Sequence, residues 1–240
     1  MPQRARTHRR RTRVATIVLA AVLVIGVTAA RGSHRTVTRS EAGAVANAIS
    51  VRESDVPSLN EQSNPITTQE RELSSQLTRC IGGVPESRAY ADTQSPSFEN
   101  SGSSSLTVSS STEILPTAAL VAKDFAAVTG PKGLPCLEGQ IRGQLDSSVP
   151  QGEMLHISAA RLPAVVSGSD GAFTFRFTVL ITAQQGGGTV NVPLYYDVIG
   201  LAYGQAEIGL DVLTTHAKPS ASLERRLAAR LLARARTAIG

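Results

Sequence analysis

The residues with the most obvious chemical capacity are few. Asp197 and Asp211 occupy two consecutive apolar, strand-like segments in the C-terminal half. Two carboxylates on paired strands are the minimal apparatus for general acid and base work. Alternation along the same segments predicts the blander role of solvated polar positions. Of the four histidines, His8 and His34 precede the main body, and His156 and His216 stand near strand ends. None has His-Glu-x-x-His or another zinc spacing, so no metal site is expected. Gly168-Ser169-Asp170-Gly171 has the residues of a turn and not the Gly-x-Ser-x-Gly order of a nucleophile elbow. Gly130-Pro131-Lys132-Gly133 lacks the Gly-Lys-Ser/Thr ending of a phosphate loop. The expectation is a non-enzymatic chain, with no catalytic residues, no cofactor and no residues assignable to a ligand.

Cys80 and Cys136 are the only cysteines, and their meaning depends on compartment. Arg4, Arg6, Arg9, Arg10, Arg11 and Arg13 precede an uncharged apolar run, Val14–Ala30. A basic block before such a run is an export signal, with the arginines on the cytoplasmic side. Seventeen residues of helix span about 25 Å, long for a cleaved peptide and short for a bilayer core. The reading adopted is an uncleaved single-pass anchor in the cell membrane with the C-terminal part outside. Secretion after cleavage near Ala30 is the alternative. In an exported chain an even cysteine count suggests a disulfide, Cys80–Cys136, tying the first helix to the third. Two buried free thiols are the competing reading, and a redox pair is disfavoured because Cys-x-x-Cys is absent.

The isoelectric point of 9.7 invites a nucleic-acid partner. The charge distribution removes that reading. The basic excess lies in the N-terminal block, in Arg31, Arg35 and Arg39, and in the five arginines of the last segment, whereas residues 40–220 sum to −8. An acidic body without a basic stripe is not a nucleic-acid surface. The absence of Trp weakens sugar and flat-ring ligands, which use aromatic platforms.

Residues 1–30 are thus read as signal or anchor, 31–48 as a linker and 49–240 as one extracytoplasmic domain. Leu73, Leu77, Cys80 and Ile81 recur at helical spacing after a cap at Thr67 or Thr68. Phe98 and then Leu106 and Val108 alternate around Asn100-Ser101-Gly102, predicting a hairpin. Two helices follow, one from Pro116-Thr117 to the Gly130-Pro131 stop and one carrying Cys136, Leu137, Ile141 and Leu145. Strands are expected over 155–162, 172–183, 189–202 and 206–214, and Pro193 marks a bulge or an outward-facing edge. A final amphipathic helix spans about Ser220 to Ala238, its arginines opposite Leu223, Leu227 and Leu231. The fold class expected is α+β: an antiparallel sheet of about six strands with helices packed on one face.

Val51-Arg52-Glu53-Ser54-Asp55-Val56-Pro57, Ser95-Pro96-Ser97-Phe98, Val108-Ser109-Ser110 and Leu115-Pro116-Thr117 occur in that order, ahead of four strands and an Ala/Arg/Leu helix. This succession resembles the extracytoplasmic sensor domains of actinobacterial PknH-type receptor kinases and their free-standing envelope relatives. Sensor domains of that family commonly hold two disulfides where this chain can form one. Their opening motif often continues Gly-Trp where Ser58-Leu59 stands here. The resemblance implies a sensor-like binding domain at the cell envelope for an unknown small ligand. The alternative is a structural or assembly factor for an envelope protein, using an open sheet face or the arginine-rich helix.

Overall fold

The computed structural model describes residues 34–63, 65–100, 105–146, 154–185 and 188–240. The expectations for residues 1–30 therefore lie outside the described residues. Among the described residues no helix is long and apolar enough to cross a membrane.

The chain order is α1 (Ala42–Ile49), β1 (Asn60–Gln62), α2 (Thr68–Ile81), β2 (Ala91–Gln94), β3 (Ser97–Asn100), β4 (Leu106–Ile114), α3 (Ala118–Thr129), α4 (Gly133–Asp146), β5 (Met154–Leu162), β6 (Gly171–Gln185), β7 (Gly188–Tyr203), β8 (Ala206–Thr215) and α5 (Ala221–Ile239). The strands form one eight-stranded antiparallel sheet in the order β1-β3-β4-β8-β7-β6-β5, with β2 also on β4. The α+β class with an antiparallel sheet and packed helices holds. β2 and β3 share one edge of β4 because Pro96 interrupts what would otherwise be a single strand. Ser95 repairs the break: its Oγ accepts the Ser110 N–H at 2.9 Å, and its own N–H donates to the Ser110 carbonyl. The Ser-rich stretch is therefore ordered sheet where it is described.

Opposed residues in an antiparallel ladder project to the same side. The register aligns Ile199 with Leu210, Leu201 with Ile208, Ile114 with Ala206 and Val108 with Val212. These residues form one face, which packs against α1 and α5 through Val45, Ile49, Leu227, Leu231 and Ile239. On β6 the apolar phase is the opposite one. Phe173, Phe175 and Phe177 pair with Gly200, Val198 and Tyr196 on the second face, where Phe125 of α3 meets Phe173 with ring centroids 5.3 Å apart. Helices expected on one face thus occupy both, α1 and α5 on the first and the α2–α4 group on the second. The cause is this change of apolar phase between neighbouring strands.

The expected linker also ends earlier than residue 48. Val37, Ala42, Val45, Ala46 and Ile49 are buried in the core, and helical spacing puts the last four on one side of α1. Gln205, 5% exposed, holds this segment down. Its Oε1 accepts the Val37 N–H at 2.7 Å, and its Nε2 donates to the carbonyls of Val37, Leu115 and Pro116 at 2.9–3.2 Å. Pro193, opposite Leu180, lies one residue past the point where β8 pairing stops at Leu194, so its missing donor interrupts no ladder to β8. Replacing Gln205 by Leu leaves one buried donor and three carbonyls without this partner. A loss of about 3 kcal/mol of unfolding free energy is expected, measured by denaturant titration.

Candidate functional site

Cys80 at the end of α2 and Cys136 in the first turns of α4 form a disulfide, with Cα atoms 6.0 Å apart. Closing a loop of this length is worth about 4 kcal/mol in the chain-entropy picture. The bond also holds α2 and α4 together as a roof over the second face of the sheet. Between roof and sheet lies a cavity of about 440 Å³. Its apolar wall includes Leu73, Leu77, Leu137, Ile141 and Phe173, and its polar part includes Glu86, Asp92, Glu113, Glu207 and Asp211.

Two glycines open the floor. Gly200 and Gly209 face each other across β7 and β8. A Cβ on Gly200 would stand 2.2 Å from the Phe173 ring, and one on Gly209 would stand 2.5 Å from Ser111 Oγ. Phe173 lies across Gly200 and stacks on Phe175 at 4.7 Å.

Glu113 and Glu207 are register partners on this face. One carboxylate oxygen of each is shut off from solvent and has no hydrogen-bond partner among the described residues. Burial, reinforced by the charges of Asp92, Asp124 and Glu86, pushes Glu113 up to about 8. Burial and the neighbouring Asp124 and Glu113 push Glu207 up to about 10. Asp92 rises to about 6 through burial and its contact with Glu86, with Arg71 acting the other way. One oxygen of Asp124 accepts the Val84 N–H. At neutral pH Glu113 and Glu207 therefore keep their protons, while Asp92 has largely lost its own.

Asp197 and Asp211 do not form a pair, nor do they lie on a solvated face. Asp197 is opposite Val212 and Asp211 opposite Val198, so the one-residue offset sends them to opposite sides of the sheet. Asp197 is fully buried under α5 and accepts both Arg176 Nε, at 2.7 Å, and Arg176 Nη2. Glu224 joins them, raised to about 8 by burial and by its hydrogen bond to Asp197. Asp211 is on the cavity side and accepts the Tyr196 hydroxyl at 2.7 Å. Burial raises the Asp211 carboxyl, with the Tyr196 hydrogen bond opposing. His156 is exposed on β5, and His216 follows β8 in a left-handed turn at φ 66°. Asp170 serves its turn by accepting the Gly204 N–H at 2.7 Å and contacting His34.

The motif residue Asp55 has a structural task. It is 3% exposed and accepts Arg234 Nη1 and Nη2 at 2.7 and 2.9 Å, Arg230 Nη1 at 3.0 Å and the Arg52 N–H at 3.0 Å. Burial works to raise its carboxyl, but the hydrogen bonds from Arg234, Arg52 and Arg230 and the charge of Arg234 outweigh it, and the net direction is down. The arginines of α5 are thus partly consumed inside the molecule. Arg236 also donates to the Gly168 carbonyl at 2.7 Å.

No protein-family profile matches the chain, and no curated protein matches it. Among solved structures, the chain is similar to the extracellular domain of PknH from Mycobacterium tuberculosis, with a TM-score of 0.45 and 11% identity over 85% of this chain and all of that one.

Sequence reasoning missed the cavity carboxylates because Glu86, Asp92, Glu113, Asp124 and Glu207 follow no motif spacing. The available signal was Glu113 and Glu207 on the non-core phase of two strands, and only the register places them side by side.

Groups raised by folding hold their protons more tightly in the native state, so their contribution is full below the unfolded value and fades as pH rises through the folded one. For Glu113 the window runs from about 4.5 to about 8, and for Glu207 from about 4.5 to about 10. The melting temperature is expected to fall steadily as pH rises from 5 to 10. Glu113→Gln with Glu207→Gln flattens this slope in calorimetric scans of wild type and variant.

Proposed function

We propose that this chain is a non-enzymatic, sensor-like binding domain on the outer side of the cell membrane, and that its ligand is a small organic cation with an apolar body. The observation that supports this most is the cavity between the sheet and the α2–α4 roof. It combines a wall of Leu73, Leu77, Leu137, Ile141 and Phe173 with one oxygen each of Glu113 and Glu207 that has no partner among the described residues. Pockets of this size with a few convergent polar groups are the usual form of a small-molecule site. An ammonium or guanidinium group entering beside these carboxyls would supply the missing partner and displace their protons. The external location rests on the arginine-led apolar N-terminus and on a disulfide of the kind that persists in oxidising compartments.

The alternative of an assembly factor docking an acidic partner on the arginine-rich helix is weakened. Arg230, Arg234 and Arg236 are engaged within the chain.

A charge series on one ring tests the proposal. Phenethylamine, 2-phenylethanol and phenylacetate at millimolar concentration are added to the full chain, and melting is followed. The amine is expected to raise the melting temperature by about 3–6 °C at ten times its Kd, with proton release at pH 7, while the alcohol and the acid do nothing. An equal response to all three probes, no response to any, or an amine response unchanged in the Glu113→Gln, Glu207→Gln variant would defeat it.

A further inference from the structure

β5 closes the sheet at one end, and among the described residues no strand pairs with its outer edge. Edge strands present a row of unpaired backbone donors and acceptors, and proteins normally blunt them with Pro, Lys, bulges or brevity. β5 has none of these devices. Met154–Leu162 runs nine residues in unbroken register with β6, with no Pro and no Lys. Its one charged side chain, Arg161, is drawn aside: the guanidinium lies over the Phe175 ring and donates to the Thr129 carbonyl. α4 packs against β5, whereas His156, Ser158 and Ala160 are exposed on the strand's other side.

We propose that β5 pairs antiparallel with β5 of a second copy of this chain, about a two-fold axis at Ser158, making one continuous sheet. The sequence of the strand is what favours a copy of itself. Pairing about Ser158 sets Met154 against Leu162, Leu155 against Arg161, His156 against Ala160, Ile157 against Ala159 and Ser158 against its counterpart. No like charges meet, because each Arg161 lies opposite a Leu155. A two-fold contact of this kind is self-limiting, because it consumes the edge that forms it.

Ser158 would stand opposite itself, so one substitution tests the axis. Two populations of the full chain in detergent micelles, one with a donor dye and one with an acceptor, report association by energy transfer. Wild type is expected to associate reversibly. Ser158→Lys and Ser158→Glu each weaken self-association about fivefold or more, because like charges then oppose each other. Mixing the Lys with the Glu variant restores transfer to at least the wild-type level. That restoration also shows that both exposed-site variants fold. A wild type that stays monomeric at 100 μM overturns the proposal and leaves the edge to a different chain. Association that is insensitive to both variants overturns it in favour of another surface. Neither outcome bears on the cavity.

Discussion

The structure depends on the alternation of side chains along β8, held in place by the ladders on its two sides. Ala206, Ile208, Leu210 and Val212 project to one face and enter the core with α1 and α5. Glu207, Gly209 and Asp211 project to the other and line the cavity. With a side-chain period of two, a slip of one residue against β4 or β7 would exchange these sets. It would turn Glu207 and Asp211 into the α1/α5 core and the aliphatic row toward the cavity. The register is therefore specified by two incompatible chemistries and not by backbone hydrogen bonds, which any register satisfies.

That division accounts for the two ways in which the chain handles buried acids. On the α1/α5 side, Asp55 and Asp197 have guanidinium partners, and Glu224 keeps a proton beside Asp197. Asp55 has Arg230 and Arg234, and Asp197 has Arg176. The Asp55 contacts join the turn after α1 to α5, whereas Arg176 and Asp197 link the neighbouring strands β6 and β7. Removing one partner from such a buried pair is costly because the other charge stays behind. On the α2–α4 side, Glu113 and Glu207 are buried beside Asp124 and retain their protons. The proposed cationic ligand would meet these acids between the sheet and the disulfide-tied α2–α4 roof.

The elements from Thr68 onward were largely legible in the sequence. The cap at Thr117, whose Oγ1 accepts the Leu120 N–H, and the stop at Gly130 delimit α3 where local chemistry puts them. The long strands β6 and β8 follow from strict alternation. α1 was illegible because it is eight residues long and much of its buried side is Ala42 and Ala46, whose small side chains leave little periodic signal. β1 and β2 were missed because three or four mostly polar residues acquire strand geometry only from a neighbour already in place.

By itself the sequence determined local states from Thr68 onward: which of the longer segments extend, which coil, and that the two cysteines pair if the chain is exported. Those properties depend on residues within a few positions of one another. Only the tertiary structure decided which side of the sheet each strand offers. That depends on the register between strands far apart in sequence. It is why Asp197 and Asp211, alike in the sequence, part to opposite faces, while Glu113 and Glu207, 94 positions apart, become neighbours.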